Sequence, residues 1–236
     1  MNLKTTIIVP CWNEEAALVP LLQRLHLLVA PRQSWDVLFV NDGSTDGTGG
    51  ILEAALQKYP WARVVHHAGN RGLGAAVRTG FAATADSDIL CTIDSDGTYP
   101  PERLPEFVDL IEAGADVVTA SPWHPENHQA DGGFHRIVLS RGVSLCYRYL
   151  TGTKLYTYTA LFRAYRRSAI EGVQIESDGF PAVTEILIKL LGRNCTVKEV
   201  AMPLRPREHG LSKMSTMKAI QGHLRLLTLT SQWIGR

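Results

Sequence analysis

The first 120 residues of this chain switch repeatedly between short β-branched runs and stretches with apolar residues at helical spacing. Residues 5–10 (TTIIVP), 36–40 (DVLFV), 63–66, 88–93 (DILCTI) and 116–120 (DVVTA) read as strands. Between them, residues 14–29 place Leu18, Leu21, Leu22, Leu25 and Leu28 on one helical face, and residues 45–59 do the same with Ile51, Leu52, Ala55 and Leu56. Further helices are expected over residues 72–85 and 101–113, the latter with proline in its first turn, where a missing N–H costs little. Nearly continuous apolar strands that alternate with helices predict an α/β fold: a mostly parallel central sheet with helices on both faces.

That architecture selects a site. Ligands of such sheets bind beyond the carboxyl ends of the strands. The residues there are Cys11-Trp12-Asn13-Glu14, Asn41-Asp42-Gly43, His67 to Gly74, and Asp94-Ser95-Asp96, most of them polar or small. The second half breaks the alternation. Residues 122–133 form a polar loop rich in His, Pro and Gly, residues 135–150, 180–191 and 214–234 read as helices, and residues 162–165 and 196–203 as strands. No linker divides the 236 residues, so one domain is expected.

Charge and composition exclude some classes. The formal net charge is +1, unlike the basic excess of a general nucleic-acid binder. At 45% hydrophobic and 20% charged residues the chain is not broadly disordered. No apolar run approaches the roughly 20 residues needed to span a bilayer, and residues 1–10 lack the pattern of a signal peptide. The four cysteines form no C-x-x-C pair, so reduced, buried thiols in a cytoplasmic protein are expected rather than a zinc site.

Four segments carry chemistry. Asp94-Ser95-Asp96 follows a buried strand, where two neighbouring carboxylates repel unless a cation sits between them. Oxygen donors suit Mg²⁺ or Mn²⁺; a solvated Asp-x-Asp turn is the alternative. Asp42 opens Asn41-Asp42-Gly43-Ser44 and could accept a hydrogen bond from a nucleobase or ribose, or simply belong to a turn. Asn70-Arg71-Gly72-Leu73-Gly74 has Val77 where a dinucleotide fingerprint needs its third glycine; its glycines allow close backbone approach and Arg71 could face a phosphate. Arg207 through Lys213 brackets a loop with two cations suited to a pyrophosphate, or to solvent.

In this order the segments resemble glycosyltransferase family 2, closest to the dolichol- or polyprenol-phosphate mannosyltransferase type. The resemblance rests on Pro10-Cys11-Trp12-Asn13-Glu14, Asn41-Asp42-Gly43-Ser44, Gly72-Leu73-Gly74 with Arg78 and Gly80, Asp94-Ser95-Asp96, Phe162-Arg163-Ala164-Tyr165-Arg166, and Arg207 through Lys213. It implies a GT-A type domain over residues 1–236, with a nucleotide-sugar-binding half (1–121) and an acceptor half ending in the C-terminal helix (122–236). It implies an inverting, metal-dependent transfer from a GDP- or UDP-sugar to a polyprenyl phosphate. Pro10, Trp12, Glu14, Val40 and Asp42 then form the nucleoside pocket. Asp94, Ser95 and Asp96 become the Mg²⁺ or Mn²⁺ and diphosphate site, and Arg207 and Lys213 the clamp on the leaving group.

Three positions depart from the family pattern. Thr98 replaces a common glutamine, Pro122 a common arginine, and Thr157-Tyr158-Thr159 a region that usually holds an aspartate. The last two weaken the lipid-phosphate assignment more than the transferase assignment. An anionic acceptor needs no general base, and Arg163, Arg141 and Arg136 are the candidates to bind its phosphate. A hydroxyl acceptor needs one, with Glu185 first and Asp178 second. A soluble transferase acting on hydroxyls and a non-catalytic nucleotide-sugar-binding module are the alternatives. The last helix mixes Met217, Ile220, Leu224, Leu227, Trp233 and Ile234 with cations. It is expected to dock on the protein's own core, with peripheral contact at a membrane's cytoplasmic face as the alternative.

Overall fold

A computed structural model describes residues 3–127, 134–204 and 216–234. The first half is β1 (Thr5–Cys11), α1 (Glu15–Val29), β2 (Trp35–Asn41), α2 (Thr48–Lys58), β3 (Ala62–His66), α3 (Leu73–Ala82), β4 (Ile89–Thr92), α4 (Leu104–Glu112) and β5 (Val117–Ser121). The second half is α5 (Phe134–Thr151), β6 (Arg163–Arg166), the short α6 (Arg167–Ile170), α7 (Pro181–Gly192), β7 (Val197–Ala201) and α8 (Thr216–Ile234). The sequence reading contains each of these except α6, whose four residues are too few to show a period.

The described strands form one seven-stranded sheet in the order β3-β2-β1-β4-β6-β5-β7. Pairing is parallel between β1 and β2, β1 and β4, β2 and β3, and β5 and β7. β6 runs antiparallel to both β4 and β5. Its first residue, Arg163, pairs with Thr92 at the carboxyl end of β4. The segment before β6 therefore arrives where the parallel strands end.

Successive strand residues point to opposite faces, and both faces are covered. On one face, Ile7, Val9, Val37 and Phe39 pack with Leu18, Leu22 and Leu25 of α1 and with Leu104, Phe107 and Ile111 of α4. On the other, Ile8, Leu38 and Val40 pack with Ala76 and Val77 of α3 and with Val183, Ile186 and Leu187 of α7. Each such Leu or Phe contributes about 1.5–3 kcal/mol when fully buried, so neither face is left to solvent.

α8 lays Ala219, His223, Leu226 and Thr230 inward, against α7 and α5. Core docking therefore holds, and of the apolar residues named from sequence Leu227, Trp233 and Ile234 pack against the core while Met217 and Leu224 are exposed. Among the described residues no helix is long and apolar enough to cross a membrane. Cys11 and Cys91 are buried, as expected, and burial raises the Cys91 thiol far above its usual range. Cys146 is a correction: it lies exposed on the outer side of α5.

Candidate active site

A cleft of about 460 Å³ opens at the carboxyl ends of β1, β2 and β4. Pro10, Trp12, Glu14, Asp42, Arg71, Asp94, Ser95 and Asp96 all line it. Its far wall, Asp178 to Pro181, belongs to the start of α7 and the turn before it.

The near wall is built around Asp42. Its carboxylate accepts hydrogen bonds from Arg71 N (2.9 Å) and Gly72 N (2.7 Å) and lies 2.6 Å from His67 Nδ1. Gly72 has φ +96°, a conformation that favours glycine, and a Cβ there would overlap the Asp178 carbonyl. That carbonyl accepts from Gly74 N (2.6 Å) and Ala75 N (3.2 Å), closing the start of α3 against the far wall. The glycines are thus required by close approach of two backbone segments.

Ser95 and Asp96 are buried, and Asp94 is half-buried. Asp96 Oδ1 accepts from Thr98 N (3.0 Å) and from the Thr98 hydroxyl. The residue that departs from the family's glutamine therefore orients a carboxylate, an outer-layer role familiar at metal sites. Two adjacent carboxylates in one cleft fit a hard divalent cation. No group of three His, Cys, Asp or Glu side chains among the described residues makes a complete protein cage, so phosphate and water oxygens would supply the other ligands.

A second cavity, about 130 Å³, meets the first at Asp94, Asp96, Leu161 and Phe180. All three departures from the family pattern reach it: Thr98, Pro122, Thr157 and Thr159 are in its lining. Hydroxyls dominate its polar surface. Ser140 Oγ accepts from Trp123 Nε1 (3.1 Å) and lies 2.8 Å from Thr159 Oγ1, while Ser121 and Thr157 hydroxyls are 2.9 Å apart. Arg141 stacks its guanidinium 5.0 Å from the Trp123 ring centre, just outside.

His223 also lines this cavity, 8% exposed, with Nδ1 3.3 Å from the Tyr147 hydroxyl. Burial lowers its pKa from 6.5 to about 4. The unfolded chain takes up this proton first, so the contribution to stability is complete above pH 6.5 and is lost as pH falls toward 4. Urea unfolding at pH 7 and pH 4.5 should show wild type losing about 2–3 kcal/mol more than His223→Gln. Equal losses would place the imidazole in solvent.

Three expectations are corrected. Arg163 is 0% exposed and does not line either cavity. Its guanidinium donates to Thr119 Oγ1 (3.1 Å), Tyr158 O (2.7 Å) and Val183 O, so it ties β6 to β5 and α7 instead of meeting an acceptor phosphate. Glu185 is 1% exposed and accepts from Glu176 N (2.8 Å), Ser177 N (2.8 Å) and Lys189 Nζ (2.7 Å). Burial pushes its pKa up, the hydrogen bonds from Lys189 and Ser177 outweigh this, and the net shift is downward; a carboxylate so held is a poor general base. Val40 is fully buried under α3, because the β2 alternation turns it into the core two residues before the strand gives way to Asp42. Arg207 and Lys213 lie outside the described residues, as does the side chain of Arg136.

Sequence reasoning missed Trp123 and His223 as wall residues, and His67 as the residue behind Asp42. The strand-end rule covered His67 without singling it out, and no spacing pattern marks the other two.

The model of glycosyl transferase family 2 matches residues 6–173. The chain belongs to glycosyltransferase family 2. Polyprenol monophosphomannose synthase of Mycolicibacterium smegmatis is 33% identical over 218 residues, 90% of this chain and 81% of that protein. Undecaprenyl-phosphate mannosyltransferase of Micrococcus luteus is 31% identical, over 90% of this chain and 88% of its own length. Dolichol-phosphate mannosyltransferase of Pyrococcus furiosus is 28% identical over 99% of this chain, which spans 65% of that relative. In fold, this family 2 glycosyltransferase resembles glucosyl-3-phosphoglycerate synthase from Mycobacterium tuberculosis, solved with Mn²⁺ and UDP-glucose. The TM-score is 0.74 at 20% identity, covering 99% of this chain and 79% of that one. The likeness is one of architecture, the GT-A type.

Proposed function

We propose that this glycosyltransferase moves a sugar from a nucleoside diphosphate sugar to a polyprenyl phosphate. The observation that carries the reading is the meeting of two cavities at Asp94 and Asp96. The donor occupies the larger cleft, built by residues 1–121 and closed by the start of α7. The acceptor enters through the smaller one, built mainly by residues 122–236. The names of the relatives, all lipid-phosphate sugar transferases, support this acceptor.

Each residue then has a role. Pro10, Trp12, Glu14 and Asp42 bind the nucleoside, and Arg71 lies at the phosphate side. Asp94 and Asp96 hold Mg²⁺ or Mn²⁺, with Ser95 beside the diphosphate. When bound, the cation supplies positive charge to the departing diphosphate. Arg207 and Lys213 add to that charge. An acceptor phosphate is already an anion, so attack on the anomeric carbon requires no proton removal, in keeping with the structural role of Glu185. Arg141, stacked on Trp123 of the second cavity's lining, contacts the acceptor phosphate.

The helices that line the second cavity also present apolar side chains outward: Leu145, Tyr149 and Leu150 on α5, Met217 and Leu224 on α8. These rest on the cytoplasmic face of a membrane while the lipid head enters.

The test is binding of GDP-mannose, UDP-glucose and UDP-N-acetylglucosamine with and without Mn²⁺, followed by addition of undecaprenyl or dolichyl phosphate. Metal-dependent donor binding and sugar transfer to the lipid are expected. Slow hydrolysis without transfer would favour a second reading, a hydroxyl acceptor. That reading is supported by the hydroxyl-rich second cavity, which has no Lys or Arg among its described lining residues. Asp178, in the donor cleft, would then be the base. Absence of donor binding would reduce the chain to a regulatory module.

A further inference from the structure

The ring of His67 stands behind the near wall of the donor cleft. It is 5% exposed, against 4% for the Asp42 side chain it faces. Nδ1 lies 2.6 Å from Asp42 Oδ1, and Nε2 lies 2.9 Å from Thr79 Oγ1 on α3. Its backbone N–H donates to Asn41 O (2.9 Å), so the residue is fixed to the end of β2 at both ends. His67 does not line the cleft; Asp42 does.

The surroundings leave Asp42 little freedom. Oδ1 receives the Arg71 N–H as well as His67, and Oδ2 receives the Gly72 N–H. An ionised carboxylate has about four acceptor positions. Three are filled, and the one that remains is on Oδ2. Rotation of the carboxylate would exchange the two oxygens and break all three contacts. With its proton on Nδ1, the imidazole at 2.6 Å makes a charge-assisted hydrogen bond to the Asp42 carboxylate, both side chains being almost wholly buried. The Thr79 hydroxyl in turn fixes the imidazole's plane.

We infer that His67 is a positioning residue for the nucleoside of the donor: held by Thr79, it locks Asp42 so that one acceptor position on Oδ2 remains for an N–H or O–H of the base or ribose. This rests on the donor reading of the cleft proposed above. The effect is local to the nucleoside, because the diphosphate lies toward Asp94 and Asp96.

Two amides of different reach separate the contacts. Asparagine places an N–H near the Nδ1 position and can serve Asp42. Glutamine places one near Nε2 and serves Thr79 alone. Leucine serves neither. Binding of UDP, GDP and inorganic pyrophosphate, each with Mn²⁺, is measured for wild type, His67→Asn, His67→Gln and His67→Leu. Expected are a Kd for the preferred nucleotide within about threefold of wild type for His67→Asn and at least about tenfold weaker for His67→Gln and His67→Leu. Pyrophosphate binding should stay within about twofold in all four, and donor KM should rise with kcat nearly unchanged. Three outcomes overturn the inference: nucleotide binding unchanged in His67→Leu, equal losses in His67→Asn and His67→Gln, or parallel loss of nucleotide and pyrophosphate. Wild-type protein that binds pyrophosphate but neither nucleotide overturns the donor reading itself, and this inference with it.

Discussion

Replacing Asp96 with asparagine is expected to lower kcat/KM by about 10³-fold while leaving the thermal midpoint unchanged or slightly raised. The size follows from removing one pre-placed group that acts on charge developing in the transition state, an effect of about 10²–10³ in comparable sites. The sign of the stability change follows from the geometry. Asparagine keeps an Oδ1 acceptor for Thr98 N and its hydroxyl. It also removes one of two neighbouring carboxylates in the cleft, and with it their mutual repulsion. Transfer rate, Mn²⁺ affinity and unfolding midpoint, measured on one preparation, separate the possibilities. Full activity with intact Mn²⁺ affinity would end the metal role proposed for this residue. Loss of activity together with a midpoint fallen by many degrees would make Asp96 a structural residue.

Arg163→Met should produce the largest loss of stability, about 3–5 kcal/mol, because three buried neutral acceptors lose their donor at about 1–3 kcal/mol each, in part relieved by rotation of the Thr119 hydroxyl. In a chain of this size that is a fall in midpoint on the order of 10 °C. Methionine fills much of the space but leaves the acceptors Thr119 Oγ1 and Tyr158 O without their donor. The guanidinium itself has no carboxylate within ion-pair distance among the described residues, so its burial depends on these neutral acceptors alone. Lysine, with its single ammonium, cannot reach three acceptors on three segments and should recover only part of the loss. Urea unfolding measures the effect, and donor and acceptor KM on the surviving folded protein provide the contrast. Unchanged stability with a raised acceptor KM would restore the phosphate-binding role that the sequence suggested.

These two residues show where sequence reasoning reaches and where it stops. Asp94, Asp96 and Asp42 were legible because strand ends in a parallel sheet open to one side, so chain position alone placed them in the cleft. Arg163 was not, because the Phe162-Arg163-Ala164-Tyr165 segment is a strand covered on both faces. Nothing in its spacing says that a cation there is inside. Val40 failed for a related reason: a shift of one residue along β2 moves a side chain from one face to the other. Glu185 carried a usable signal. Lys189 stands one helical turn later, the i,i+4 spacing of an ion pair. The direction of β6 left no mark in the sequence, since antiparallel and parallel strands buried on both faces have the same composition.

The reversed strand has a consequence for the order in which the molecule can be made. β6 is the partner of β4, yet about seventy residues separate them in the chain. Among the described residues β5 pairs with β6 and β7 alone, both of which follow it. At about 5–20 residues per second, a ribosome needs several seconds to deliver β6 after β4 has emerged. During that interval the nascent chain can form the β3-β2-β1-β4 pairing, but it carries a β4 edge, buried in the finished protein, that still lacks its β6 partner. The inserted strand makes this half-sheet a waiting template, and makes the newborn chain most dependent on chaperones between the synthesis of its two halves.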